Sequence, residues 1–113
     1  MNLEQLKKYV IANGGATLTK DAEIASFNAG FMVSLPGFET ISTLEDFNEK
    51  TFKAYCRIAR KKKAYFGLWM DDGKIYLDVS IKINDKATAR KIGKKNNQLA
   101  IYDLEKQESI YLN

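Results

Sequence analysis

Two short stretches of the chain hold twelve of its eighteen basic residues. Residues 50–63 contain seven cations and no carboxylate, and residues 86–95 contain five cations. Clustered cations can hold a polyanion, because each phosphate that they neutralise releases a condensed counterion. The candidate contact residues are Lys50, Lys53, Arg57, Arg60, Lys61 and Lys63 in the first stretch, and Arg90, Lys91, Lys94 and Lys95 in the second. The alternative is a solvated helix surface, although such surfaces usually pair lysine with glutamate one turn away.

Three aromatic residues form a second candidate site. Tyr65, Trp69 and Tyr76 are predicted to share the outer face of a β-hairpin, with Trp69 and Tyr76 as cross-strand neighbours. Exposed aromatic residues on a sheet can stack the bases of single-stranded nucleic acid or anchor a protein interface. The alternative is that a helix or the N-terminal strands cover this face, because large aromatic residues usually lie in the core.

The sequence offers little for catalysis. Histidine is absent and Cys56 is the only cysteine, which removes the commonest general base and argues against a zinc site. Asp71, Asp72, Asp78 and Asp103 could bind Mg²⁺ for a nuclease reaction, but the first two belong to a predicted turn. We therefore expect a non-enzymatic protein without metal or cofactor, and a Mg²⁺-dependent nuclease is the disfavoured alternative.

Composition indicates one folded domain spanning residues 1–113. Hydrophobic residues make up 45% of the chain, one proline is present and the formal net charge is +4. These values favour a globular domain over a disordered chain. The first ten residues carry charges among apolar positions, unlike a signal peptide, and no apolar run approaches the length of a membrane span. A lone cysteine suits a reducing compartment, so we expect a cytoplasmic protein that makes no membrane contact.

The N-terminal part is predicted to contain a helix followed by short strands. Leu3, Leu6 and Val10 recur at helical spacing over residues 2–12, and Asn13 with two following glycines ends that helix. Short β-forming runs at residues 16–19, 24–27 and 31–35 are separated by turn residues, which indicates two or three strands.

The first basic stretch is predicted to lie on an amphipathic helix that runs from Ser42 to about Lys63. Ser42 and Glu45 have the spacing of a capping box. On a helical projection five of the cations occupy an arc of roughly 100°, opposite an apolar stripe. That stripe consists of Leu44, Phe47, Thr51, Tyr55 and Ile58.

Residues 65–83 are predicted to form a β-hairpin closed by Asp72 and Gly73. If Asp71 lies opposite Lys74, one face of the hairpin becomes apolar and should face the core. That face carries Phe66, Leu68, Met70, Ile75, Leu77 and Val79.

The C-terminal part is predicted to contain a short basic helix and two strands. Asp85 is expected to cap the helix, which runs to Lys95 with Ala89 and Ile92 turned inward, and the strands cover residues 98–104 and 109–112. The second basic stretch supports the first only if both helices lie on the same side of the sheet. The expected fold is an α+β domain in the order α-ββ(β)-α-ββ-α-ββ, with three helices, two of them basic, on a mostly antiparallel sheet.

Four segments of the sequence resemble a small domain found in proteins of phages, plasmids and conjugative elements. They are GFMVSLPGFE at 30–39, YFGLW at 65–69, DGKIYLDVS at 72–80 and NQLAIYDL at 97–104. Some small proteins of such elements, anti-CRISPR proteins among them, disarm host defence systems. The resemblance implies a setting, mobile-element biology, in which small basic proteins often bind nucleoprotein machines. Within that setting we expect an inhibitor that evades host defence and acts in the cytoplasm of a bacterial host.

The partner that we expect is nucleic acid or a nucleoprotein effector, such as a Cas nuclease or its guide RNA. The basic helix face would supply the attraction. Because neither a metal nor a catalytic group is expected, the protein would hold an acidic partner without cleaving it. The alternative is a general single-stranded DNA-binding or RNA-binding accessory protein. The sequence leaves the oligomeric state open.

Overall fold

The structure, a computed structural model, describes residues 1–112 and confirms the α+β fold. Three helices are present: α1 (Leu3–Asn13), α2 (Glu49–Lys62) and α3 (Lys86–Lys95). The strands are β1 (Gly15–Leu18), β2 (Phe31–Ser34), β3 (Thr40–Thr43), β4 (Tyr65–Asp71), β5 (Lys74–Ile83), β6 (Ala100–Asp103) and β7 (Glu108–Tyr111). No helix within residues 1–112 is long and apolar enough to cross a membrane.

All the strand pairings within residues 1–112 are antiparallel and form one sheet in the order β1-β4-β5-β2-β6-β7. Strand β5 is ten residues long, so two strands share one of its edges. β3 pairs with residues 74–77 and β2 with residues 80–83. The longest pairing joins β4 and β5 at the centre of the sheet.

The β4–β5 hairpin has the predicted register. Asp71 lies opposite Lys74, and the apolar pairs Leu68–Leu77 and Phe66–Val79 are in place. Asp72 and Gly73 both have positive φ (52° and 75°), as a tight two-residue hairpin turn requires. The turn chemistry therefore determines which side chains face the core.

All three helices pack on the same face of the sheet. α1 and α2 cover Leu68, Leu77 and Val79, and α3 covers Val33 and Ile101. The side chain of Ile81 joins these two clusters, so they form one apolar layer. The opposite face, which we call the open face, carries the alternate residues of each strand and has no helix against it within residues 1–112.

Two details of the prediction are wrong, the residue at which α2 begins and the strand at residues 24–27. Residues 40–43 form strand β3, and α2 begins at Glu49 with the Asn48 side chain accepting a hydrogen bond from the Thr51 amide. Pairing with β5 extends the sheet through residues 40–43, and Thr43 Oγ1 then accepts from the Asp46 amide to close a turn. Residues 24–27 do not form a strand, because only Ile24 makes an isolated bridge, to Leu18.

The apolar side of α2 also differs from the predicted stripe. Leu44 and Phe47 precede the helix, and they pack into the core from the turn. The buried residues of the helix itself are Phe52, Tyr55 and Ala59. The inward face is therefore rotated relative to the predicted stripe, but it still lies opposite the basic arc.

Candidate polyanion interface

Helix α2 is held in a fixed rotation about its axis by contacts of its buried side. The Tyr55 ring stacks on Phe66 of β4 with centroids 4.8 Å apart. The Tyr55 hydroxyl donates to the carbonyl oxygen of Phe38 and forms a 2.8 Å hydrogen bond with the Thr40 hydroxyl. These contacts direct the opposite side of the helix into solvent, where Lys50, Lys53, Arg57, Arg60 and Lys61 are exposed.

The position of a cation along α2 separates structural roles from unexplained ones. Arg60, Lys61 and Lys62 lie in the last turn, where the negative end of the helix dipole favours positive charge. Lys50 lies in the first turn, where the dipole disfavours it, and Lys53 and Arg57 lie between the two ends. Helix stability therefore does not account for Lys50, Lys53 and Arg57.

Ion pairing leaves almost all of these cations uncompensated. Within residues 1–112 two salt bridges form, Lys8–Glu4 (N···O 3.6 Å) and Arg60–Asp21 (3.4 Å). Arg60 is consequently the only α2 cation, among the described residues, that pairs with a carboxylate. A solvated helix surface usually carries compensating acids, so the pattern favours a binding surface.

Helix α3 places the second basic stretch on the same side of the sheet. Its Ala89 and Gly93 are buried against β2 and β6, and Ile92 is half-buried beside them. The other side exposes Lys86, Lys91, Lys94 and Lys95, with Arg90 half-buried. The condition for combining the two stretches is therefore met.

We call the combined surface the basic layer. α2 packs on β4 and β5, and α3 packs on β2, β6 and β5, so the two helices occupy neighbouring positions across the sheet. The members of the basic layer are Lys50, Lys53, Arg57, Arg60, Lys61 and Lys63, with Arg90, Lys91, Lys94 and Lys95.

The predicted aromatic residues lie on the open face, away from the basic layer. Trp69 stacks on Tyr76 with centroids 4.2 Å apart, and 48% of its surface is exposed. Tyr65 is half-buried, because the Phe27 ring packs edge-on against it at 5.1 Å. No helix of residues 1–112 covers Trp69 and Tyr76, and they face away from the cations of α2 and α3.

Sequence reasoning missed one apolar neighbour of this aromatic pair. Ile41 lies directly opposite Tyr76 in the β3–β5 ladder, and 59% of it is exposed. It was not included in any of the predicted N-terminal strands, the last of which ended at residue 35, although its β-branched side chain beside Thr40 and Thr43 is typical of a strand.

The open face also contains a cleft that the sequence did not predict. It has a volume of about 720 Å³ and runs across the sheet from Thr17 of β1 to Ser109 of β7. Asp78 lines it, and the Ser34 hydroxyl donates a 2.9 Å hydrogen bond to Asp78 Oδ2.

Burial raises the pKa of the Asp78 carboxyl above its ordinary value. The Ser34 and Ser80 hydroxyls lower this pKa, and the negative charge of Glu39 raises it further. The charged form of Asp78 therefore has a free-energy cost in the folded protein.

The remaining acidic candidates have structural roles. Asp103 is 6% exposed, and its Oδ1 accepts hydrogen bonds from the amides of Glu105 and Lys106, which closes the β6–β7 turn. Asp71 and Asp72 are exposed at the hairpin turn. Within residues 1–112 no three histidine, cysteine or acidic side chains converge to hold a metal ion.

Cys56 is half-buried on α2, and burial raises the pKa of its thiol, which opposes thiolate formation.

The arrangement of charged groups can bind anions at the basic layer and, separately, present one carboxylate in the cleft. Comparison of the chain with protein-family models, with curated proteins and with solved structures gave no match.

Proposed function

We propose that the protein is a non-enzymatic binding protein that docks through its basic layer on nucleic acid, either bare or held in a nucleoprotein. The observation that carries this proposal is the placement of two cation-bearing helices in neighbouring positions on one side of the sheet. Arg60 is the only cation of the layer with a carboxylate partner among residues 1–112.

Electrostatics gives this surface a defined binding behaviour. Each phosphate that a lysine or arginine neutralises contributes about 0.7 to 0.9 to the slope of log affinity against log salt. Contacts between these cations and phosphate oxygens carry no sequence information of their own. The proposed interaction is therefore strongly salt-dependent and weakly sequence-specific.

The finer proposal is an anti-CRISPR-like inhibitor from a mobile genetic element. The resemblance of four segments to phage and plasmid proteins suggests this setting. In that role the basic layer would contact the guide RNA, or the nucleic-acid backbone, of a Cas-type effector and so compete with its normal use.

The alternative, a general single-stranded DNA-binding or RNA-binding accessory protein, has weaker support. Stacking platforms for single strands place aromatic residues beside the cations that follow the backbone. Here Trp69 and Tyr76 face away from α2 and α3. A strand held by the basic layer would therefore not reach these rings.

The first prediction tests the basic layer with a charge-reversal variant. Lys50→Glu, Lys53→Glu and Arg57→Glu together leave the Arg60–Asp21 pair intact. We expect an RNA oligonucleotide to bind at least about tenfold more weakly at low salt, with a salt slope reduced by about 2 to 3. Fluorescence anisotropy between about 50 and 200 mM salt gives both quantities.

A matched control reverses three exposed cations outside the layer, Lys8→Glu, Lys74→Glu and Lys106→Glu. It has the same net charge as the first variant and should keep most of the affinity. Equal losses in the two variants would show a net-charge effect and would contradict a localised surface. Capture of an RNA-loaded Cas nuclease without binding to bare RNA would favour the inhibitor over the general binder.

A further inference from the structure

Two glycines create a depression beside Trp69 on the open face. In the ladders, Gly15 of β1 lies opposite Trp69, and Gly67 of β4 lies opposite Asp78. Neither glycine has a side chain to fill the space above the sheet, and both line the cleft. A Cβ at Gly15 would come within 2.8 Å of the Leu68 carbonyl oxygen, so the strands approach closely there.

The carboxylate of Asp78 extends over this depression. A methyl group at Gly67 would collide with Asp78 Oδ1, so that oxygen lies directly above the glycine. Oδ2 accepts from the Ser34 hydroxyl, and the Ser80 hydroxyl is close enough to lower the pKa of the carboxyl. Within residues 1–112 no hydrogen bond of ordinary distance and angle is made to Oδ1. Every buried side-chain oxygen or nitrogen atom of residues 1–112 has a hydrogen-bond partner. Since Oδ1 has no such partner, it is not buried and can be reached from the cleft.

Charge complementarity indicates what the cleft would bind. Asp78 is the only lining residue, among those described, with a formal charge, although the whole chain has a net charge of +4. A cation in the cleft would gain a hydrogen bond to the free oxygen of a half-buried carboxylate. The half-exposed indole of Trp69 would add a cation–π contact.

We propose that the cleft receives an arginine side chain of a partner protein, with the guanidinium group on Trp69 and hydrogen-bonded to Asp78 Oδ1. A planar guanidinium can stack on the indole while donating in its own plane, which an ammonium group cannot do. The length of the cleft favours a chain segment over a small molecule, because the lining runs from β1 to β7. Tyr102, 40% exposed, and Met32 line its far part and can contact residues that flank the arginine.

The second prediction concerns a model peptide. Trp69 is the only tryptophan, so its fluorescence reports on this cleft directly. We expect acetyl-Gly-Gly-Arg-Gly-Gly-amide to change that fluorescence saturably, and the neutral citrulline peptide to bind about tenfold more weakly or worse. Asp78→Asn should weaken binding of the arginine peptide by a similar factor. An amide nitrogen would take the place of Oδ1, and it cannot accept a hydrogen bond from the guanidinium group. The control Asp46→Asn, exposed and outside the cleft, should leave binding unchanged.

Several results would overturn the proposal. Equal binding of the arginine and citrulline peptides, or full binding by Asp78→Asn, would exclude the carboxylate contact. Agmatine binding as tightly as the peptide would indicate a small-cation site instead of a protein-docking site. If Asp78→Asn does not fold, the wild-type protein still decides: arginine-peptide affinity must fall as Asp78 is protonated at acidic pH, and a flat profile contradicts the proposal.

Discussion

At the scale of single residues, the stability of the fold does not explain why an aspartate lies at position 78. Aspartate is disfavoured in strands, and this one is half-buried in the middle of β5. Two serine hydroxyls and a facing glycine accommodate its carboxylate, yet burial still raises its pKa. A residue that costs stability and is nevertheless supported by its neighbours is typical of a binding site.

The third prediction is that Asp78→Asn stabilises the fold near neutral pH. Because the pKa of Asp78 is raised on folding, the folded state binds this proton more tightly than the unfolded state does. That contribution to stability is complete below the unfolded pKa and is lost as pH rises through the folded pKa. The variant should therefore have a higher Tm than wild type at pH 7, and the gap should narrow as pH falls through the raised pKa.

Thermal unfolding followed by circular dichroism over a pH series measures this gap. Asp46→Asn makes the same change in net charge at an exposed position and serves as the control. A lower Tm for Asp78→Asn than for wild type at pH 7 would mean that the carboxylate stabilises the sheet, which would contradict this prediction. Glu39→Gln removes a negative charge that raises the pKa of Asp78 and serves as the second reference.

At the scale of elements, the sequence was sufficient to predict an element wherever residues at its own ends determine its position. Asp85 caps α3 as predicted, and Asp72 with Gly73 determines the β4–β5 register. In each case the decisive hydrogen bonds or dihedral angles lie within a few residues. The outward position of the α2 cations could be predicted for another reason: the period of the helix places them opposite its apolar side wherever the helix begins.

Elements that depend on distant partners could not be predicted in the same way. Ser42 and Glu45 satisfy the local pattern of a capping box, but residues 40–43 pair with β5 and therefore form a strand. The cleft is a stronger case, because Gly15 meets Trp69, and Gly67 meets Asp78, only after the sheet has assembled. The side of the sheet on which the helices pack is likewise a property of the assembled layer.

The fourth prediction concerns the packing of α3. A Cβ at Gly93 would lie 2.5 Å from Leu112 Cδ1 and 2.9 Å from Ile101 Cγ2. Gly93→Ala should therefore lower the free energy of unfolding by about 1 to 3 kcal/mol from overpacking. This loss should occur although alanine has the better helix propensity, by about 1 kcal/mol.

Urea denaturation of the single and double variants tests this steric explanation. Leu112→Ala alone should also destabilise, since it leaves a cavity. The double variant should be more stable than the sum of the two losses implies, because the smaller side chain makes room for the new methyl group. Strict additivity would show that Gly93 is required for another reason.

At the scale of the whole molecule, two surfaces of opposite character face in opposite directions. The basic layer lies on the helix side of the sheet, and the Asp78 cleft lies on the open face. The sheet separates them, so a ligand on one side need not displace a ligand on the other. Such an arrangement suits a protein that brings an anionic partner and a cationic partner together.

The fifth prediction is that the two proposed ligands bind independently. The dissociation constant of the arginine peptide should change by less than about twofold when RNA saturates the basic layer, because the coupling free energy is close to zero. Trp69 fluorescence measures the peptide, and anisotropy of labelled RNA confirms saturation. The α2 charge-reversal variant should keep peptide binding, and Asp78→Asn should keep RNA binding; competition in either direction would contradict two separate surfaces.

The position of the Asp72–Gly73 turn has a consequence for the order in which the chain folds. β4 and β5 are the most local strand pair in sequence and also the longest pair in the sheet, so loop-closure entropy is smallest where the most hydrogen bonds form. Folding should nucleate there, with Leu68 and Leu77 forming contacts in the transition state before the outer strands add. On the ribosome β1 emerges before β4, so β1 cannot join the sheet until β4 has been synthesised, and until then only the bridge from Leu18 to Ile24 can form.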